Sequence, residues 1–307
     1  MDILSYTLGY AKGKAQGGSG GGSGDFKKGI YFEFLQKLPK AAINHRFFEY
    51  KGSLYLFVVT STSSKTADIY KYENNKFTLI TTITNTDICG TGFLSRGYEL
   101  NDKVYFMYTN NRLVEWDGTN MTVVNSSLPF TSINVDNGTP FTLHNNELIG
   151  FASVTGGIQM YKINADFTTT LKGTYSISNS TTTKPSPSGI FSINNELYII
   201  AYIIAGGETS NRRWLCKFNG NEFEPYIMTS ASATGYDYAV VNNKLYIGYS
   251  TSTGYGNIVE FDLTNKTATN MANTWGHRTL FDYNNELYVT DIIKYYAFAK
   301  GHIVSGE

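Results

Sequence analysis

The phrase Asn-Asn-Glu-Leu-Tyr occurs twice verbatim, at Asn194–Tyr198 and Asn284–Tyr288. Near copies stand at Lys51-Gly52-Ser53-Leu54-Tyr55, Asn101-Asp102-Lys103-Val104-Tyr105, Asn145-Asn146-Glu147-Leu148-Ile149 and Asn242-Asn243-Lys244-Leu245-Tyr246. The six copies end at positions 55, 105, 149, 198, 246 and 288, so by subtraction they are spaced 50, 44, 49, 48 and 42 residues apart. Each copy is a tight turn built from residues that tolerate positive φ, followed by the start of an apolar strand. A four-stranded unit of this length cannot bury its face alone and must stack on its neighbours, and a repeat of this size in a strand-rich chain marks propeller blades. The chain therefore reads as an all-β protein, a six-bladed β-propeller.

Each repeat divides into four short strands, A to D, with A innermost. In the second copy these are Phe93–Leu100, Val104–Tyr108, Leu113–Trp116 and Met121–Asn125, with turns at Asn101-Asp102 and Asp117-Gly118. Strand B is apolar on both faces, as in Leu54–Val59 and Leu197–Ile200, which suits a strand held between two neighbouring blades. Tyr72, Trp116, Ile163, Phe218 and Phe261 occupy one repeated position on strand C and read as packing between blades. The sixth copy gives A as Arg278–Tyr283, B as Leu287–Thr290 and C as Lys294–Phe298, and then only His302-Ile303-Val304 follows before the last few residues. Its fourth strand is missing there, whereas Ile30–Pro39 precedes the first repeat as an orphan D strand. A ring whose last blade borrows that strand leaves no blade open.

Charge and motif content exclude several functions. Lys and Arg total 25, as do Asp and Glu, so the basic excess that phosphate contacts require is absent and nucleic acid is not an expected partner. Cys89 and Cys216 lie far apart without a CxxC companion and read as two buried thiols. His45, His144, His277 and His302 show no HExxH or HxH spacing, so no metal site is expected, and His144 beside its hairpin reads as a solvated turn residue. No Gly-x-Ser-x-Gly elbow, phosphate-cradling loop or sialidase Asp-box occurs, so no catalytic residue and no cofactor are expected. The one opening for an enzyme is a pair drawn from Asp68, Asp87, Asp136, Asp237 and Asp291, since two opposed carboxylates serve glycoside hydrolysis; chance placement on loops is the better reading. The first ten residues do not make a secretory signal, and no run reaches the roughly 18 apolar residues of a membrane span, so membrane insertion is not expected.

Three regions are expected: a docking segment over residues 1–16, a linker over 17–25 and the propeller over 26–307. Ile3, Leu4, Tyr6, Leu8 and Tyr10 fall along a short amphipathic pattern, read as a peptide that orders against a partner, the alternative being a disordered terminus. The Gly/Ser run that follows is a flexible tether. It reads as native because the flanking residues continue its composition; the alternative is an engineered join.

The connections are unequal. A-to-B and C-to-D turns are short and alike, while D-to-A and B-to-C connections are longer and differ from blade to blade, and the two sets lie at opposite ends of a propeller. Scaffold at one end and diversity at the other is the division of labour of a binding module. Candidate ligand residues on the variable side are Trp275, His277, Arg278, Tyr236, Asp237, Arg96 and Arg212. Trp275 leads because it reads as a loop residue outside the Trp116-type position, the alternative being a plug over the central channel. Arg212, with Arg213 beside Trp214, reads as an anionic-ligand patch or as a solvated pair flanking a strand.

The body from about Ile30 to Val304 resembles a degenerate kelch-type propeller, on Leu38-Pro39 ahead of the first repeat and on the turn followed by Leu-Tyr and apolar residues, as at Asn194–Ile200. It departs from that family in lacking the Gly-Gly doublet after most B strands, with partial echoes at Gly156-Gly157 and Gly206-Gly207. The segment Ile3-Leu4-Ser5-Tyr6-Thr7-Leu8-Gly9, leading into a Gly/Ser run, resembles the start of structural proteins of phages and prophages of Gram-positive bacteria. That resemblance implies a non-enzymatic virion protein of tail-fibre, baseplate or decoration type, extracellular after release; the alternatives are a glycan-active propeller hydrolase and a purely structural protein-protein scaffold. Its implied partners are other virion proteins through the N-terminus and a host-surface glycan or protein, with an oligomeric state imposed by the assembly.

Overall fold

A computed structural model describes residues 29–39, 44–90, 94–109, 111–130, 140–229, 236–250, 255–275, 277–291 and 297–304. These form six four-stranded antiparallel sheets, and no helix occurs among the described residues. The first strand, β1 (Gly29–Lys37), is set apart from the chain order that follows. Blade 1 is β2 (Asn44–Tyr50), β3 (Ser53–Ser61), β4 (Thr66–Glu73) and β5 (Lys76–Thr84). Blade 2 is β6 (Tyr98–Leu100), β7 (Lys103–Tyr108), β8 (Arg112–Trp116) and β9 (Met121–Asn125). Blade 3 is β10 (Phe141–His144), β11 (Glu147–Val154), β12 (Gly157–Ile163) and β13 (Thr169–Tyr175). Blade 4 is β14 (Ser186–Ile193), β15 (Glu196–Ile203), β16 (Arg212–Phe218) and β17 (Phe223–Thr229). Blade 5 is β18 (Tyr236–Val241), β19 (Lys244–Ser250), β20 (Tyr255–Asp262) and β21 (Thr267–Trp275). Blade 6 is β22 (His277–Tyr283), β23 (Glu286–Asp291) and β24 (Ala297–Val304), with β1 as its fourth strand.

The first strands touch in cyclic order, β2 to β6, β6 to β10, β10 to β14, β14 to β18, β18 to β22 and β22 back to β2, so they line the axis. The core is correspondingly split into six clusters, one between each pair of adjacent blades. Strand β15 shows how one strand serves two clusters. Leu197, Ile199, Ala201 and Ile203 pack toward blade 3, whereas Tyr198 and Ile200 pack toward blade 5, as the two-residue alternation of a strand requires.

The repeated phrase is a type I′ hairpin with its following strand. All six A-to-B loops have two residues, both at positive φ: 48° and 68° at Lys51-Gly52, 53° and 61° at Asn101-Asp102, and 49–52° then 58–60° in the four Asn-Asn pairs. Asn carries the left-handed conformation at low cost, and the I′ twist matches the strand twist.

The repeated strand-C position is confirmed as packing. Tyr72, Trp116, Ile163 and Phe261 lie opposite Leu54, Val104, Leu148 and Leu245, and Trp116 and Phe261 are completely buried. In blade 6 the residue opposite Leu287 is Gly301. A Cβ there would stand 2.9 Å from Leu287 Cδ2 and 3.3 Å from Ile30 Cγ2, so Ile30 of β1 helps to fill the space that a side chain takes elsewhere.

Strand β1 pairs with β24 from Gly29 opposite Val304 to Lys37 opposite Ala297, and this closes the ring. A one-residue bulge interrupts it at Leu35, and an equivalent bulge lies in each of the other five outer strands, at Ile80, Val124, Lys172, Tyr226 and Met271. The N-terminal strand thus carries the same irregularity as the outer strands it completes, and a bulged edge resists pairing with a second sheet. Two sequence boundaries are corrected. The third strand of blade 6 does not stop at Phe298 but runs from Ala297 without a break through Val304, with 294–296 outside the described residues, and the regular part of the first strand in blade 2 begins only at Tyr98. Gly97 explains the second correction, because a Cβ there would stand 2.5 Å from Phe106.

A charged pair repeats on the B and C strands. Glu147, Glu196 and Glu286 accept from Lys162, Lys217 and Lys300 at 2.6, 2.5 and 2.6 Å, while in blades 2 and 5 the charges are exchanged, Lys103 with Glu115 and Lys244 with Glu260 at 2.7 and 3.2 Å. The tyrosine of the phrase completes the unit, since Tyr198, Tyr246 and Tyr288 donate to Glu196, Glu260 and Glu286 at 2.6, 2.8 and 2.9 Å. The lysine hydrogen bonds hold the carboxyls of Glu147, Glu196 and Glu286 below the ordinary value of 4.5. A carboxyl with a depressed pKa stabilises the fold above its unfolded value, and that contribution is lost as pH falls through the folded value. Glu49 has the opposite sign: burial, Asp282 and Glu99 raise it, so its contribution is present in acid and lost as pH rises. Asp117, Asp166 and Asp262 are also lowered, by hydrogen bonds within their turns, so with six carboxyls lowered against one raised among the described residues the urea midpoint is expected to fall between roughly pH 5 and pH 3. The double variant Glu196→Gln/Glu286→Gln is expected to show a shallower fall, and an unchanged pH profile would remove these pairs as its cause.

Candidate functional site

The two rims of the ring differ as the loop pattern anticipated. One rim carries the six two-residue turns. The other carries B-to-C connections that range from two residues between β11 and β12 to eight between β15 and β16; the short β11–β12 turn is an exception to the expected length. Antiparallel pairing fixes where β1 starts. Strand β24 ends at the rim where β23 begins, and Gly29 lies opposite Val304. Residues preceding Gly29 are therefore attached at the turn rim, opposite the variable one.

Of the candidate ligand residues, the structure brings Arg96 and Asp237 to the axis. Arg96 and Asp237 stand five residues before the first turn residue of their blades, and so does Arg46. Arg46 Nη1 pairs with Asp237 Oδ2 at 2.6 Å and its Nε donates to the Leu94 carbonyl at 2.8 Å. Arg96 Nη2 pairs with Asp282 Oδ1 at 2.8 Å, its Nη1 donates to the Tyr238 carbonyl at 2.7 Å, and its guanidinium lies 4.4 Å from the centre of the Tyr238 ring. The first pair joins blades 1 and 5 and the second joins blades 2 and 6. Non-adjacent blades meet only across the axis, so both pairs brace the ring internally. The Tyr98 and Tyr238 hydroxyls, from opposite blades 2 and 5, meet at 2.8 Å and close the axis at that level. Burial pushes both phenols up. Burial is the largest influence on Arg96 and opposes its charge, but the Asp282 carboxylate together with the Tyr238 and Tyr98 phenols raises the guanidinium above its ordinary value. Arg46 and Asp282 were missed from sequence; the mixed charges at one repeated position, two arginines and an aspartate, were the available signal for Arg46, whereas Asp282 stands two residues before its turn, outside that position.

Arg212 lies on the variable rim, exposed, with its Nε 3.2 Å from Glu208 Oε2. The loop 204–211 is pinned on both sides. The Thr181 amide donates to the Ile204 carbonyl at 3.1 Å, the Ile204 amide to Thr182 Oγ1 at 2.8 Å, and Gly206, at φ 63°, lies so close to Trp214 that a Cβ would stand 2.9 Å from its ring. On the other face of the blade Arg213 stacks 5.5 Å from the ring centre of Tyr202, which is 44% exposed.

The backbones of Tyr236, Trp275, His277 and Arg278 fall in β18, β21 and β22, so Trp275 is the last residue of a strand rather than a loop residue; their side chains lie outside the described residues. Ile3, Leu4, Tyr6, Leu8 and Tyr10, with the linker, also lie outside them. His144 is half-buried and its Nδ1 lies 2.9 Å from Ser192 Oγ of the next blade, which corrects the reading of a solvated residue. Cys89 and Cys216 are buried, free thiols, and burial pushes Cys89 up to about 11. Among the described residues no group of three or more His, Cys, Asp or Glu is placed to hold a metal.

These features define the chain as a six-bladed β-propeller with a braced axis, a uniform turn rim and a variable rim. No protein-family profile and no curated protein sequence matches it. Among solved structures it is similar to a structural genomics protein of unknown function from Bacteroides thetaiotaomicron VPI-5482, at 11% identity and a TM-score of 0.48, over 93% of this chain and 73% of that one. It is also similar to YjhT, at 10% identity and a TM-score of 0.49, over 75% of this chain and 84% of that one. Likeness at such identity concerns fold alone, and the blade count rests on the strand ladders.

Proposed function

We propose that this propeller is a non-enzymatic recognition module of a phage or prophage virion, held by its N-terminal segment and presenting its variable rim. The observation that carries the reading is polarity. The chain enters the ring at the turn rim, so an N-terminal anchor leaves the irregular rim pointing away from whatever holds it. The resemblance of the first residues to virion proteins supports the nature of the holder. The absence of spare carboxylates supports the binding role among the described candidates: Asp68 accepts from Thr82 at 2.6 Å and Tyr70 at 3.1 Å, Asp87 pairs with Arg112 at 3.0 Å, and Asp237 pairs with Arg46.

Deleting residues 1–16 is expected to abolish incorporation into particles while leaving the thermal unfolding of the propeller unchanged. Retained incorporation would remove the anchor. Incubation with host cell-wall glycans tests the enzyme reading, which gains only if product is released and Asp237→Asn, checked for folding, stops the release.

A further inference from the structure

We propose that the blade-4 corner of the variable rim is a binding subsite for an anionic glycopolymer, with Tyr202 as a stacking platform and Arg213 as the anion-recognising group. The inference rests on the recognition reading and names the ligand class. Tyr202 is anomalous in its place. Among the described residues five large apolar side chains are exposed, Leu79, Ile80, Leu171, Tyr202 and Met228, and four of these stand on outer strands. Tyr202 alone stands on a B strand, the strand type that elsewhere buries both faces. Counting five residues on from Leu54, Val104, Leu148 and Leu245, the equivalent positions hold Val59, Thr109, Ser153 and Ser250, so the ring architecture does not call for an aromatic there.

The chemistry around Tyr202 is that of a sugar site. Arg213 lies opposite Tyr202 on the ladder and stacks on it, which presents a planar fork beside an aromatic face. Ser186 lies on the other side of Tyr202 in the same row and adds a hydroxyl. Pyranose rings offer apolar faces to such a platform and hydroxyls to such neighbours, whereas a protein epitope of comparable affinity calls for a continuous apolar centre. Arg212 alternates to the opposite face and pairs with Glu208, so the charge presented beside Tyr202 is that of Arg213. A guanidinium in that place selects an anionic polymer over a neutral one.

The test measures binding of the full chain to a poly(glycerol phosphate) teichoic acid, to polygalacturonate and to neutral dextran. Binding to the first assigns phosphate, and binding to the second assigns carboxylate, as the recognised group; in either case it weakens as salt is raised. Tyr202→Ala and Arg213→Gln are each expected to weaken it about tenfold, the scale of one stacked aromatic or one charge-assisted pair. Tyr202→Phe and, on the turn rim, Lys51→Ala are expected to bind as the parent does. The proposal is overturned if neither anionic polymer binds, if dextran binds equally well, or if folded Tyr202→Ala binds unchanged. Host-cell binding separates the two levels: equal binding by the parent and Tyr202→Ala sinks the subsite alone, and no cell binding by the parent sinks the recognition reading with it.

Discussion

A chain that begins at Leu38, and so lacks β1, is expected to lose its cooperative unfolding transition and to self-associate. Without β1 the outer edge of β24 is left with its ladder groups unpaired, which makes it a template for another strand. The space beside Gly301 opens at the same time, because Ile30, only 7% exposed, packs there with Leu280 and Leu287 and with Val241 and Tyr246 of blade 5. The edge of blade 6 and its packing against blade 5 are thereby weakened at once. A point variant makes the argument quantitative. Ile30→Asp removes a buried aliphatic side chain, worth about 2–5 kcal/mol with its cavity, and adds the desolvation of a polar group. The expected loss of about 4 kcal/mol is a large part of a stability that is generally about 5–15 kcal/mol. By contrast Glu33→Ala, on the same strand, breaks only an exposed pair with His302 at 2.7 Å. It is expected to cost less than about 1 kcal/mol. Urea unfolding of the two variants decides the matter: equal midpoints would mean that β1 is an ornament rather than the closing strand.

What the sequence revealed and what it hid follow from the range of the interactions. Turns and strand alternation are local, so Asn-Asn pairs and apolar runs announced six hairpins and their period, and the unmatched strand near Ile30 announced the closure. The bulges were not legible. Each arises from one extra outer-strand residue, and residues as different as Ile80 and Lys172 occupy that position. The placement of Arg96 and Asp237 at the axis was also hidden, because their partners lie 186 and 191 residues away. Read locally, both looked like loop charges available to a ligand. A ring places equivalent positions face to face around one axis, and opposite charges at one repeated position are therefore a long-range signal. Tyr202 was hidden for the converse reason: on a strand that looked uniformly apolar, one exposed aromatic is invisible until burial is known.

Arg96→Ala is expected to lower stability by about 3 kcal/mol without altering recognition at the variable rim. The guanidinium makes an ion pair, a hydrogen bond to the Tyr238 carbonyl and a stacked contact with the Tyr238 ring, and it sits at 20% side-chain exposure against 23% for Asp282. An exposed pair would cost under about 1 kcal/mol to break, but removing one partner of a desolvated pair leaves the other charge uncompensated, at about 3–5 kcal/mol when fully buried. The lower end applies because Asp282 keeps one donor, the Val240 amide at 2.9 Å. A cycle on the companion pair tests whether the charges themselves brace the ring. Arg46→Ala and Asp237→Ala are each expected to destabilise, and the double variant to lose less than their sum by about 1–3 kcal/mol, the usual size of direct coupling. Strict additivity would mean that the arginines act through packing and through their backbone hydrogen bonds. In that event the axis is closed by the Tyr98–Tyr238 contact and its aromatic neighbours, and charge at the repeated position is tolerated there rather than required.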